Sequence, residues 1–309
     1  MSVHRCYDLT WSSETALPEL GEAEPRFLGL PPDIEIVDGT VGEPPPGSDR
    51  LPYGMWWHGR SFGLDAVGIA HYRVDDGRHV TIERRPGADE DDVRLYLLGT
   101  VMAALMMQRG HLILHGNAIR LGEACAIVVG HSGSGKSTLA AEFVRRGIDV
   151  LADDVVPVDG AGLAKPGYPR LKLWEDSLDV LGLDASSLQR LNSSLPKFHV
   201  PVARGRLEPL PVRWIYALES HDDPTFELET VRGLATYDVL REHTYRRELI
   251  HDDAASWKHL TQCAALAAGA TVVRVRRPAA TMTPADTADA ILADIDSARS
   301  VATFAEEQA

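Results

Sequence analysis

Gly130-His131-Ser132-Gly133-Ser134-Gly135-Lys136-Ser137-Thr138 decides how this chain is read. It fits G-x-x-x-x-G-K-[ST], the glycine-rich loop that cradles phosphates between a strand and a helix. Its flanks agree. Residues 124–129 form an apolar run before it, and residues 138–146 carry a helical pattern that Gly147 closes. Glycines in such a loop let backbone N–H groups turn inward onto phosphate oxygens without Cβ obstruction. Lys136 follows the charge on the β- and γ-phosphates, the Ser137 hydroxyl suits Mg2+, and the helix opening there adds its positive end. The residues expected to hold a nucleotide are Gly130, Ser132, Gly133, Ser134, Gly135, Lys136, Ser137 and Thr138, with ATP and Mg2+ the implied cofactors.

Working outward, a second apolar run at 148–152 follows the helix and ends in Asp153-Asp154. Strand, crossover helix and parallel strand make the βαβ unit of an open α/β sheet. The helix carries the chain roughly 15 Å from the loop, and the strand brings it back by roughly 23 Å. The two carboxylates therefore return beside the γ-phosphate. Successive strand residues face opposite ways, so one is expected to hold the metal and the other to meet the acceptor. A simple nucleotide hydrolase needs one such acid. A second is what a kinase uses as general base on an alcohol. His115 follows the apolar residues 112–114, and its position alone does not give it a role. His111 lies on the same short strand, but no third ligand accompanies the pair, so a zinc site is not expected.

Before this core, residues 1–50 are rich in prolines and glycines, with a short strand expected at 34–37. Residues 67–74 and 79–83, joined by Asp75-Asp76-Gly77, read as a hairpin. An acidic turn at 89–92 then opens a helix whose apolar face runs from Val93 to Met106 and ends near Gly110. Later, strands are expected at 214–218, 226–231 and 271–275, and helices at 254–268 and 285–295. The expected division is a β-rich N-terminal domain, 1–90, and a catalytic domain, 91–309.

Composition narrows the function. The 309 residues carry 31 Lys and Arg against 45 Asp and Glu, a formal charge of −14, which disfavours nucleic-acid backbones and anionic lipid surfaces. Three scattered cysteines make neither a disulfide framework nor a metal cluster and read as reduced thiols. Residues 1–10 lack an apolar signal core, and the longest apolar run, 101–107, falls short of the ~20 residues that span a bilayer. The expected location is the cytoplasm.

Together these residues resemble a known family. Leu114-His115-Gly116-Asn117, the loop from Gly130 to Ser137, Arg146-Gly147 and Ala152-Asp153-Asp154 look like the catalytic domain of HPr kinase/phosphorylase, the bacterial serine kinase acting on a phosphocarrier protein. The likeness covers roughly residues 90–155 well and is loose beyond. It implies an α/β fold: a P-loop kinase core of the HPr kinase C-terminal-domain type with a mixed sheet, preceded by a smaller β-rich domain. It also implies roles: Asp154 takes the proton of the substrate hydroxyl, Lys136 binds phosphate, Ser137 binds Mg2+, His115 sits at the reaction centre, and Asp153 is the auxiliary, metal-holding acid. A homo-oligomer is implied by the same analogy. His131 stands where the family carries an acid after the first loop glycine, which weakens the case for the reverse, phosphorylase direction. Lys165-Pro-Gly-Tyr-Pro-Arg170-Leu-Lys-Leu-Trp174 replaces the family's Arg-Gly signature, leaving Glu175, Asp176 and Asp179 as positional candidates for a second metal carboxylate. The whole arrangement is similar to the HPr-kinase-like proteins of ribosomal peptide pathways, including lasso-peptide kinases that phosphorylate a C-terminal serine.

On the acceptor side, Arg170, Lys172, Lys197 and Arg204 are cations that either reach the γ-phosphate or a carboxylate, or are solvated surface groups. Arg170 leads, in a proline-bounded loop after the catalytic strand. The run Arg241-Glu-His-Thr-Tyr-Arg-Arg247 is a basic patch on an acidic chain, suited to an acidic leader or a peptide carboxylate, or else a helix face. The expected function is ATP-dependent phosphorylation of a serine hydroxyl on a protein or peptide, foremost a ribosomally made (lasso) precursor. The alternatives are a kinase for a small molecule such as free serine or a sugar, and a non-catalytic, nucleotide-gated peptide-binding module.

Overall fold

Alternation of buried and less buried side chains, clear in the strands at 34–38, 70–75 and 79–84, marks sheet in the N-terminal part. In the computed structural model, which describes every residue except 22, 169, 176, 179–181, 192–195, 203–207 and 307–309, this part forms one eight-stranded sheet. Its strands are β1 (Ser2–Cys6), β2 (Leu9–Ser13), β3 (Ile34–Asp38), β4 (Asp49–Arg50), β5 (Met55–His58), β6 (Ser61–Ala66), β7 (Ala70–Asp75) and β8 (His79–Arg84). They lie in the order β1-β2-β3-β8-β7-β6-β5-β4, with β3 parallel to both its neighbours and the other pairs antiparallel. In β7, Ala70, Tyr72 and Val74 are buried while His71, Arg73 and Asp75 are half-buried, the period-2 signature. The expected hairpin strand starts later than 67, because Val67 is 87 % exposed in the preceding turn.

The acidic turn does open a helix. Asp89 caps α1 (Glu90–Tyr96), its carboxylate accepting from the Asp91 N–H at 2.8 Å. A π-turn, Leu97–Val101, joins it to α2 (Met102–Gln108). The apolar face, with Met102 and Met106 in it, packs into the core of the N-terminal sheet beside Tyr72, Val74 and Ile82. These methionines are therefore core residues.

The remaining elements are β9 (Leu112–Leu121), β10 (Ala124–Gly130), α3 (Lys136–Arg145), β11 (Val150–Val158), β12 (Leu163–Ala164), β13 (Arg170–Trp174), β14 (Gln189–Arg190), β15 (Lys197–Pro201), β16 (Leu210–His221), β17 (Glu227–Val231), α4 (Leu234–Glu242), α5 (Asp253–Gly269), β18 (Thr271–Pro278) and α6 (Pro284–Glu306). The central mixed sheet runs β11-β9-β10-β16-β18-β17, with β12 bridging β11 and β16. β10 and β11 point the same way, as a βαβ unit requires, but β9 lies between them, antiparallel to both. One face packs Ile127, Val129 and Ile215 against Leu240 of α4 and Cys263 of α5. The other packs Val128 and Tyr216 against Phe143 of α3 and Ile291 of α6. Helices cover both faces, an α/β architecture. Among the described residues no helix is long and apolar enough to cross a membrane.

Two further features position the site. The antiparallel sheet β13-β15-β14 rests on α3, with Leu171, Leu173 and Phe198 against Ala140 and Ala141, which places Lys172 and Lys197 over the phosphate loop. The β1–β2 turn, with Tyr7 and Asp8 at φ 54° and 62°, reaches the back of β11. There the Tyr7 N–H donates to the Pro166 carbonyl (2.7 Å) and its hydroxyl to the Val155 carbonyl (3.2 Å).

Candidate active site

β10 ends in the loop because only glycine suits its backbone there. Gly135 adopts φ 90°, and a Cβ on it would lie 2.6 Å from Arg277 Nη2, whose fork ties the loop by donating to the Ser134 carbonyl (3.0 Å). The Lys136 ammonium curls over the loop and donates to the carbonyls of Gly130 (2.7 Å) and His131 (2.9 Å). Burial lowers its proton affinity. A cavity of about 420 Å³ opens above, walled by Ser132, Gly133, Gly135, Lys136, Ser137 and Thr138 on the loop side. Gly130 and Ser134, expected with them, lie outside this wall. Gly130 backs a second cavity, and Ser134 is buried with its hydroxyl lacking a partner among the described residues.

The acidic pair departs from expectation in one respect. Asp153 and Asp154 lie inside β11 rather than at its end, and both face the same cavity. The cause is Asp154's backbone, at φ 68° in the left-handed region, which breaks the alternation of an extended strand. Asp154 pairs in register with Gly116 and Asp153 with Asn117. Asp153 is buried, accepting from the Asn117 side-chain amide and from the Lys172 backbone N–H (2.7 Å). Burial, then the neighbouring Asp154 charge, pushes its carboxyl up to about 7.

Asp154 is held the other way. Its Oδ2 lies 2.7 Å from Lys172 Nζ, and its Oδ1 lies 3.3 Å from His115 Nδ1. Burial alone would raise its proton affinity, but the Lys172 ammonium and His115 outweigh it and keep the carboxyl well below the usual range. The same pairing raises Lys172 despite its burial. Burial lowers the proton affinity of His115, and the neighbouring Asp154 acts in the opposite direction. Lys197 lines the cavity with its ammonium 4.4 Å from the Trp174 ring centroid.

Arg170 is corrected. It begins β13 rather than a loop, and its guanidinium donates to the Pro18 carbonyl (3.0 Å) and to Gln189 (3.3 Å), away from the cavity wall. Lys172 and Lys197 belong to strands, and both reach the cavity. Arg204, Asp176 and Asp179 lie outside the described residues, and Glu175 is not in the cavity wall.

For Mg2+, the chain offers the Ser137 hydroxyl and the Asp153 and Asp154 carboxylates in one cavity, with the buried Asn117 Oδ1, unpartnered among the described residues, alongside. Among the described residues no group of three or more His, Cys, Asp or Glu could hold a metal by itself. That sparse oxygen set fits Mg2+, which takes one or two carboxylates and draws other ligands from phosphates and water.

Beyond His115 and Asp154 lies a second cavity of about 560 Å³. It shares His115, Ser132 and Asp154 with the first, and its far wall is residues 242–248. The His115 N–H donates to the His243 carbonyl (2.8 Å), fastening that wall to β9. The His131 ring lies 5.3 Å from His243 and its Nε2 lies 2.7 Å from Glu242 Oε1. The carboxylate beside His131 is thus supplied by α4.

No family model matches this chain. Over 101 residues, 33 % of its length, it is 31 % identical to the HPr kinase/phosphorylases of Neisseria meningitidis (serogroup C, strain FAM18) and Neisseria gonorrhoeae (strain FA 1090). The match spans 29 % of those relatives' length. Among solved structures, the Hpr(Ser) kinase/phosphatase from Coxiella burnetii aligns with 60 % of this chain and 95 % of its own at 11 % identity, with a TM-score of 0.29, too slight a likeness to argue from.

Sequence reasoning missed Arg277 as part of this site, quoted Asn117 only within the Leu114–Asn117 motif, and left residues 241–247 open between a patch for an acidic leader or peptide carboxylate and a helix face. Asn117 had a signal: two residues beyond His115 on one strand, it shares that residue's face.

Proposed function

We propose that this chain transfers the γ-phosphoryl group of ATP to a serine hydroxyl on a peptide or small protein. The observation that carries the reading is the position of Asp154 and His115 on the wall common to two cavities, one of them lined by the phosphate loop. The triphosphate lies in the first cavity, on the loop N–H groups, Lys136, Lys172 and Lys197. Ser137 and Asp153 would hold Mg2+, which neutralises phosphate charge when bound. The acceptor hydroxyl enters from the second cavity. Its oxygen bonds to the γ-phosphorus as the bond to the β-phosphate oxygen breaks, its proton passes to the Asp154 carboxylate, and ADP departs. A carboxylate of low proton affinity suits a loose transition state, in which the hydroxyl keeps its proton until late. His115, with Nδ1 3.3 Å from Asp154 Oδ1, steadies that carboxylate at the wall. A phosphate that drew Lys172 away would strengthen Asp154 as a base.

The second cavity is larger and more open than the first, which favours a segment of a larger chain over an enclosed metabolite. A ribosomally made precursor peptide is the acceptor this reading puts first. The test is Asp154→Asn with Mg·ATP and a serine peptide, read by mass spectrometry. Transfer falls by about 10²–10⁴-fold while nucleotide Kd stays within a few-fold. Transfer at the wild-type rate in that variant removes the mechanism, and wild-type protein that turns over no ATP yet binds peptide in a nucleotide-dependent way favours the binding-module alternative.

A further inference from the structure

The far wall of the second cavity carries charge that the transfer step does not use. Arg246 has φ 49°, a conformation that residues with side chains seldom adopt. Its Nε donates to Thr100 Oγ1 (3.0 Å), and its guanidinium carbon lies 5.8 Å and 5.7 Å from the Tyr53 and Tyr245 ring centroids. Backbone, hydroxyl and two rings thus hold the fork in place. Arg84, Arg94, Arg146 and Arg274 each meet a carboxylate. Arg246 meets none among the described residues. The adjacent Arg247 is exposed on the same wall, and its guanidinium has no hydrogen bond or ion pair with a described residue. Of the acids lining the cavity, Asp154 is engaged by Lys172 and Glu242 by His131. Glu248 is the acid left to oppose the two arginines. On a chain of net charge −14, a fixed arginine left without its carboxylate is a site for someone else's.

We propose that Arg246 and Arg247 grip a carboxylate of the acceptor, so that the second cavity selects serine peptides with an acidic group close to the hydroxyl. The proposal rests on the kinase reading of the same cavity and adds the acceptor's chemical class. A planar guanidinium fork receives both oxygens of a carboxylate at once, which fixes direction as well as charge. An acidic side chain and a peptide's own C-terminus present the same two oxygens. Gripping that group beside Asp154 would hold the serine hydroxyl at the shared wall.

The experiment titrates short peptides by calorimetry into the wild-type protein loaded with Mg2+ and a non-hydrolysable ATP analogue. One pair carries Glu or Gln beside an internal serine, and a second pair ends in serine as free acid or amide. At least one charged member is expected to bind about tenfold tighter than its neutral counterpart. Whichever pair shows the difference identifies the source of the carboxylate. Arg246→Met and Arg247→Met each reduce that preference while nucleotide Kd is unchanged, and Arg246→Lys restores it only in part, since it keeps the charge and loses the fork. Equal binding within both pairs, or a preference that survives both Met variants, overturns the proposal. A preference that holds while wild-type protein with ATP yields no phosphopeptide strikes the kinase reading alone.

Discussion

Replacing Lys172 with Met tests the ion pair on which the acidic pair depends. The Lys172 side chain is 8 % exposed, and its Nζ lies 2.7 Å from Asp154 Oδ2. At that distance the attraction is about 6 kcal/mol for an effective dielectric of ~20, before either group's desolvation is counted. Removing the cation leaves Asp154 beside the buried Asp153 with no ammonium in contact. Breaking a buried pair from one side costs about 3–5 kcal/mol, against a total stability of about 5–15 kcal/mol. With a urea m-value of about 3 kcal/mol/M, the unfolding midpoint falls by roughly 1 M or more at pH 7. Asp154→Asn strands the ammonium instead and costs a similar amount. The double variant recovers most of the loss, a coupling of about 2 kcal/mol or more. Urea titration of all four proteins by circular dichroism provides the cycle. If the single losses add to within about 0.5 kcal/mol, Lys172 is not what holds Asp154 ionised, and the low proton affinity argued for it fails.

Other outcomes follow from particular contacts. A Cβ at Gly116 would lie 2.3 Å from the Val128 carbonyl, so Gly116→Ala is expected to force β9 from β10 and lower stability by about 1–3 kcal/mol, read from the same unfolding curve. An unchanged midpoint would mean the two strands part easily beside His115. Burial lowers His199 and His243 from 6.5 to about 4, so the folded state binds fewer protons than the unfolded chain between those pH values. Stability is then intact above pH 6.5 and falls as the pH drops toward 4, by up to roughly 3 kcal/mol for each histidine. His199→Gln flattens that slope in urea midpoints taken at stepped pH, and a slope identical to wild type would show that His199 does not contribute to it.

Local signals made half of the site legible. The phosphate loop announced itself because its chemistry needs contiguous residues, and the return of β11 beside it followed from segment lengths alone. What stayed hidden depended on tertiary placement. Asp154's left-handed backbone puts both carboxylates in one cavity, whereas alternation along a strand had sent them apart. Lys172 and Arg170 share β13 two residues apart, and only the seat of that strand over α3 shows that the first reaches the cavity while the second is taken by Pro18 and Gln189. The 241–247 run was legible as a basic patch, but its place on the second cavity's wall depends on the His115 to His243 backbone bond between segments far apart in the chain. In the N-terminal part, β3 was readable. β1 and β2 were not, because polar His4, Thr10 and Ser13 are buried there, which no polar–apolar pattern shows.

The turn between β1 and β2 has a consequence for how the protein can be regulated or dissected. Tyr7 touches the carbonyl of the residue directly after Asp154, so the leading hairpin works as a wedge behind the wall that the two cavities share. Clipping those first strands, or a partner prying them outward, would slacken β11 where its backbone is already bent against preference. The proposed transfer through Asp154 could then be silenced from the rear with the nucleotide still seated.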